Sequence, residues 1–254
     1  MNIYTLIARS IMDIKKLEGI VVFILESLHE EDMHTGSNLC DVIRQYQYDI
    51  TDISLEYKYY NIDSKLTFHN TLLEIKKRTD TGNFCPIIQL ECHGFKDGIE
   101  LTSSEQLKWS EVFDYIRPIN IASSNLLLLN LSMCNGDAVI RYIDPRKRAP
   151  FRAVIGPAGD VYPENLQNMW SDFYQLYLKS LCEGNRETIC SMAISSGLIY
   201  YSQEFIFDVH YDTQNLYPNL FEEWMNNNLA KMIKKEGPLL IKFSIYKKWM
   251  ANKK

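Results

Sequence analysis

Leu126-Leu127-Leu128-Leu129-Asn130-Leu131-Ser132 runs without interruption into Met133-Cys134-Asn135-Gly136. A short, continuously apolar run of this kind is the pattern of a strand buried on both faces. Its abrupt end in Cys, Asn and Gly marks a passage into a turn. Ile87-Ile88-Gln89-Leu90-Glu91-Cys92 has the same character and runs into His93-Gly94. Ile20-Val21-Val22-Phe23-Ile24-Leu25 is a third such run, and residues 151–156 and, more weakly, 54–60 supply two more. Between them lie stretches of helix length. One passes through Leu39, Val42, Ile43 and Tyr46, with Gly36-Ser37-Asn38 offering its N-cap. Others are expected over 64–77, over 104–115 with Leu107, Val112 and Phe113 on one face, over 165–181 with Gly184 just beyond, and over 187–195. Residues 198–209 read as a strand or hairpin, 221–235 as a helix, and 239–249 closes the pattern. Strands alternating with helices predict a sheet flanked by helices. The expected organisation is one α/β domain with a core over about 20–195, an N-terminal extension over 1–18 and a C-terminal addition over 197–254.

Composition narrows the class. The chain has 254 residues, 46% of them hydrophobic, enough for a core without disulfides or metals. Charged residues make up 23% and the formal net charge is −5, which excludes disorder as the main state and argues against direct nucleic-acid binding. No apolar run reaches membrane-spanning length. Met1 to Ala8 is apolar, but no basic segment precedes it, and Arg9, Asp13, Lys15 and Lys16 follow, so a secretory signal is not expected. A cytoplasmic location without membrane contact is the expectation. The 6 cysteines form no C-x-x-C pair and are expected as free thiols, not as a disulfide framework or a zinc site.

Two strand ends carry the chemistry. In an open α/β sheet, ligands bind outside the carboxyl ends of the strands. One such end delivers His93 and another Cys134, each closely followed by a glycine. A thiol becomes a nucleophile as its thiolate, which needs a base, and imidazole can also return that proton to a leaving amine. Glycine beside the histidine lets a substrate backbone approach, and the N–H groups of Gly94 and Cys134 are candidates to hold an oxyanion. Each residue alone is more simply a packing cysteine or a structural histidine. Their joint placement on consecutive apolar strands favours catalysis.

The run Ile87 to Gly94, the turn Gly98-Ile99-Glu100-Leu101 and the run Leu126 to Gly136 together resemble the caspase-like cysteine peptidases of clan CD, and most closely the CHAT branch. Val154-Ile155-Gly156, then Phe173-Tyr174, Tyr177, Leu181 and Gly184, follow in the order of that branch, so that the resemblance spans about Ile20 to Ser195. It implies a caspase-like three-layer α/β sandwich, a mostly parallel central sheet with helices on both faces. It implies Cys134 as nucleophile, His93 as general base and acid, and Gly94 and Cys134 as oxyanion donors. Ser132, two before the cysteine, would line the pocket for the substrate's P1 side chain. The implied activity is that of a cysteine endopeptidase acting on a protein substrate. It needs no cofactor and no metal, and it is switched by a regulatory or activating protein partner or a ligand, in the manner of bacterial signalling and antiviral defence systems. The caspase signature Gln-Ala-Cys-x-Gly is replaced here by Ser132-Met133-Cys134-Asn135-Gly136. The residue two before the cysteine is therefore uncharged, and Asp160 and Glu164 are the carboxylates that a loop after the fifth strand could add to the pocket.

Other readings compete. A catalytically silent caspase-like interaction module would use the same fold without chemistry. A nucleotide- or flavin-binding protein would rest on Gly156-Pro157-Ala158-Gly159 alone, with no P-loop or dinucleotide fingerprint. No third catalytic residue is evident, although Glu91 shares the side of the strand that His93 occupies. Cys92 should face the opposite side, into the core. His29 and His34 flank the acidic loop Glu30-Glu31-Asp32, read as a solvated loop in preference to a metal site, lying at the same sheet end as the active site. Arg146-Lys147-Arg148 reads as a surface loop, with processing as the functional alternative.

Overall fold

The computed structural model describes residues 17–50, 54–144, 147–182 and 189–202. Strands β1 (Gly19–Ser27), β2 (Ser54–Asn61), β3 (Phe84–Phe95), β6 (Leu128–Ser132) and β7 (Ala153–Gly156) pair in parallel, and β8 (Ile199–Ser202) closes the sheet antiparallel to β7. The order across the sheet is β2-β1-β3-β6-β7-β8. Two short strands, β4 (Gly98–Glu100) and β5 (Gln106–Lys108), form an antiparallel extension at the end of β3. This is the mostly parallel α/β sheet that the alternation predicts.

Side chains alternate across each strand, and helices cover both faces. Val21, Phe23, Leu25, Ile88, Leu90 and Leu129 face one core, packed by α2 (Lys65–Thr81) and α3 (Trp109–Ala122). Ile20, Val22, Ile24, Ile87 and Leu128 face the other, packed by α1 (Thr35–Tyr46), α4 (Pro163–Cys182) and α5 (Ile189–Ser195). β1 is buried along its whole length, as a central strand between two helical layers must be. Cys92 lies in the first core, opposite the side of His93. Among the described residues no helix is long and apolar enough to cross a membrane.

Two local readings change. The helix expected over 104–115 begins at Trp109 and continues to Ala122. Residues 106–108 are drawn into β5 by pairing with β4, and Leu107 is buried from a strand. Pro118 sits inside the helix, beyond the expected end at residue 115. At α1 the cap is not Gly36-Ser37-Asn38. The helix starts at Thr35, and the Glu26 carboxylate of β1 accepts from the Gly36 N–H at 2.7 Å and the Ser37 N–H at 3.3 Å. A buried anion thus satisfies orphan donors at the helix N-terminus. Residues 1–16 of the expected extension, Gly184, the first residues of the expected 187–195 helix, and the elements expected beyond 202 lie outside the described residues.

Candidate active site

The chain leaves β1 toward α1 on one face of the sheet, and leaves β3 by way of β4 and β5 toward α3 on the other. β1 and β3 are neighbours, in register from Gly19↔Phe84 to Ser27↔Cys92. Loops that depart from adjacent strand ends toward opposite faces leave a crevice between them. His93 stands on the β3 side of that crevice, and the loop Leu28–His34 forms the β1 side.

β6 lies on the other flank of β3, with Glu91 opposite Ser132. The pairing carries Gly94 against the turn after β6. A Cβ on Gly94 would stand 2.3 Å from the Cys134 carbonyl oxygen and 2.8 Å from Met133 Cγ. The structure therefore brings the His93-Gly94 and Cys134 backbones into contact, and only glycine fits there.

The imidazole and the thiol have other partners. His93 Nε2 lies 2.8 Å from the Asp32 carboxylate. The His93 side chain is 52% exposed and that of Asp32 27%. Asp32 is itself fixed: the His29 N–H donates to the same carboxylate oxygen at 2.9 Å, and the Asp32 N–H donates to the His29 carbonyl at 3.0 Å. Partial burial works against the charged form of Asp32. The His93 and His29 hydrogen bonds and the nearby imidazoles outweigh it and hold the carboxyl below its ordinary value. The Cys134 thiol is directed at the Val161 carbonyl, 3.6 Å away. Among the described residues no hydrogen bond joins His93 to Cys134.

The loop 157–162 closes over the turn after β6. Asn135 donates its backbone N–H to Gly159 O at 2.7 Å and its side-chain amide to Asp160 at 2.8 Å. Asn135 holds a left-handed conformation, φ 59°, to do so. Asp160 is exposed and lies beside the site through this bond, and Glu164 is exposed in the first turn of α4. Ser132 is only 2% exposed and sits beneath the crevice floor, in the layer of Glu91. Lys147 pairs with Asp114 of α3 at 3.3 Å and the Arg148 carbonyl accepts from Arg117 at 2.7 Å, whereas Arg146 lies outside the described residues.

Beneath the crevice lie two carboxyl groups, Glu26 and Glu91, in register on β1 and β3 and each 1% exposed. Glu26 accepts from His34 Nδ1 at 2.8 Å and the Tyr59 hydroxyl at 2.6 Å, besides the two α1 amides. Glu91 accepts from the Thr35 hydroxyl at 2.5 Å and the Gln89 amide at 2.7 Å. Burial raises the Glu91 carboxyl to about 7, its hydrogen bonds opposing and the neighbouring Glu26 adding to the rise. His29, Asp32 and His93 do not form a metal-binding group, nor does any other His/Cys/Asp/Glu cluster among the described residues.

Asp32 is the residue that sequence reasoning missed. It lay in a loop read as solvated, and only the pairing of β1 with β3 carries that loop to His93. No family model matches the chain, and no curated protein does. Among solved structures it is similar to the Drosophila initiator caspase Dronc, with a TM-score of 0.49 and 9% identity over 70% of each chain.

Proposed function

We propose that the chain is a cysteine endopeptidase in which Cys134 is the nucleophile and His93 the general base and acid. The observation that carries this reading is the seating of Gly94 against Cys134, which sets a histidine and a cysteine on neighbouring strand ends beside one crevice. His93 removes the thiol proton, and the thiolate attacks the scissile carbonyl. The N–H groups of Gly94 and Cys134 hold the resulting oxyanion. His93 gives its proton to the leaving amine. Water then hydrolyses the thioester, with His93 again taking a proton. Asp160 and Glu164 supply negative charge on the substrate side. The sequence resemblance to the CHAT branch of clan CD supports this assignment and extends it to a switched protease, with a protein partner or a ligand as the trigger and a role in bacterial signalling or antiviral defence.

The bond from the Cys134 thiol to Val161 favours a second reading for the chain in isolation: a resting site, or a silent interaction module. One comparison separates them. Wild type and Cys134→Ala are incubated with unfolded protein substrates, and new N-termini are identified by mass spectrometry. The peptidase reading expects cleavage products that vanish in the variant while the melting temperature is kept. Products that persist in Cys134→Ala overturn it. Wild-type digests without products fit the resting site and the module alike, and alkylation of Cys134 that slows in His93→Ala then marks the resting site, whereas alkylation indifferent to His93 marks the module.

A further inference from the structure

A histidine that serves as a base must present a lone pair, and which ring nitrogen carries it depends on what the other one touches. Here one ring nitrogen, Nε2, meets the Asp32 carboxylate. An ionised carboxylate can only accept hydrogen bonds, so the contact at 2.8 Å requires His93 Nε2 to carry a proton and donate it to Asp32. In the neutral ring, Nδ1 then holds the lone pair. Asp32 is not a loosely tethered surface anion. The same oxygen receives the His29 N–H, and the return bond from Asp32 N–H to His29 O closes the turn on which the carboxylate sits. That turn springs from the end of β1, the strand hydrogen-bonded to β3 along its whole length, so that acceptor and imidazole are held by adjoining strands of one sheet.

From this geometry we infer that Asp32 is a positioning residue for His93: it fixes the ring's orientation, selects the tautomer with the proton on Nε2, and stabilises the imidazolium that forms when Nδ1 takes the thiol proton. This rests on the peptidase reading above, since it assigns a role within that site. The carboxylate neither touches substrate nor exchanges a proton in the cycle. The proton of Cys134 passes to Nδ1, then to the leaving amine, while the Nε2 proton stays between ring and carboxylate. His29 contributes by its backbone, so its side chain is not required for this role.

Asp32→Leu distinguishes positioning from mere bulk. It keeps the volume and removes the acceptor, whereas Asp32→Asn can keep its amide oxygen on both the His29 N–H and the Nε2–H and loses only the charge. Without the acceptor nothing holds the proton on Nε2, and the neutral ring populates the other tautomer, with no lone pair for the thiol. Two measurements on the full chain test it. The first is the ¹⁵N spectrum of the His93 ring, assigned as the signal missing in His93→Ala. Wild type should show Nε2 protonated in the neutral ring, Asp32→Asn should keep that tautomer, and Asp32→Leu should show the Nδ1-protonated form as well. The second is the alkylation rate of Cys134 by iodoacetamide against pH, resolved by peptide mass spectrometry so that Cys182 and Cys190 do not interfere. Asp32→Leu should slow it at least about tenfold near neutral pH and change the shape of the pH profile, as expected when a base is misoriented. Asp32→Glu should recover part of the rate. A rate and tautomer unchanged in Asp32→Leu, with His93→Ala slow, overturn the role of Asp32 and leave the Cys134/His93 dyad standing. A rate indifferent to His93→Ala overturns the dyad itself, and the role of Asp32 with it.

Discussion

A methyl group on Gly94 would meet backbone, not a side chain that could swing aside: its nearest neighbour is the Cys134 carbonyl oxygen at 2.3 Å. Gly94→Ala must therefore push the ends of β3 and β6 apart. Overpacking of this kind costs about 1–3 kcal/mol. The displacement falls on Cys134, so the variant should lose stability in urea and also change the alkylation rate of that thiol. Equal stability and reactivity in Gly94→Ala would show that this contact does not set the site. At this scale His93, Gly94 and Cys134 were legible, because each ends or follows an apolar run that marks its own strand. Asp32 was not, because nothing in Glu30-Glu31-Asp32 distinguishes one carboxylate from its neighbours until the loop is folded. Ser132 shows the limit from the other side. Its spacing from Cys134 suggests a pocket wall, but it sits one layer deeper than the strand end, opposite Glu91, at 2% exposure.

The start of α1 shows how an element depends on its neighbour. Its N-terminal amides are satisfied by Glu26 from β1, and the same carboxylate also receives His34 and Tyr59. No window along the helix contains this cap, which is why Gly36-Ser37-Asn38 looked sufficient. Gly36 is needed for a different purpose: a Cβ there would stand 2.8 Å from the Glu26 carboxylate and 2.9 Å from Glu91 Cγ. Glu26→Gln replaces one acceptor oxygen by a donor that faces donors. The expected loss is on the order of 2 kcal/mol, from a missing cap and buried amides left without acceptors. The loss should be local as well as global. In hydrogen exchange the amides of Thr35 to Leu39 should lose protection before those of β1, and uniform loss along the chain would contradict the capping role. The misplaced start of α3 has a related cause. Residues 104–108 carry a helical pattern, and pairing with β4 overrides it, since a strand partner outside the window outweighs local propensity.

Strand order is a property of the whole molecule, and the sequence shows the strands without the pairings. β1 lies between β2 and β3, and this order has an electrostatic consequence. It sets Glu26 beside Glu91 at 1% exposure each, beneath the crevice. The groups that face Glu91 are Ser132 opposite it on β6, Thr35 at the start of α1, Gln89 on its own strand and Glu26 on β1; Tyr59 of β2 and His34 reach the pair through Glu26. Burial raises the Glu91 carboxyl from the ordinary 4.5 to about 7, so the folded chain holds this proton more tightly than the unfolded one. Stability from this group is complete below about 4.5, falls as the unfolded state ionises first, and levels off above about 7. At about 1.4 kcal/mol per pH unit, that interval amounts to about 3 kcal/mol. Glu91→Gln removes the titration and keeps the shape: its oxygen accepts from Gln89 and its NH₂ donates to a reoriented Thr35 hydroxyl. Unfolding in urea should therefore show the variant gaining on wild type between pH 5 and 7, with a constant advantage at higher pH. Parallel curves would mean that the carboxyl is ionised in the fold, with Gln89 and Thr35 stabilising the charge against burial and against Glu26.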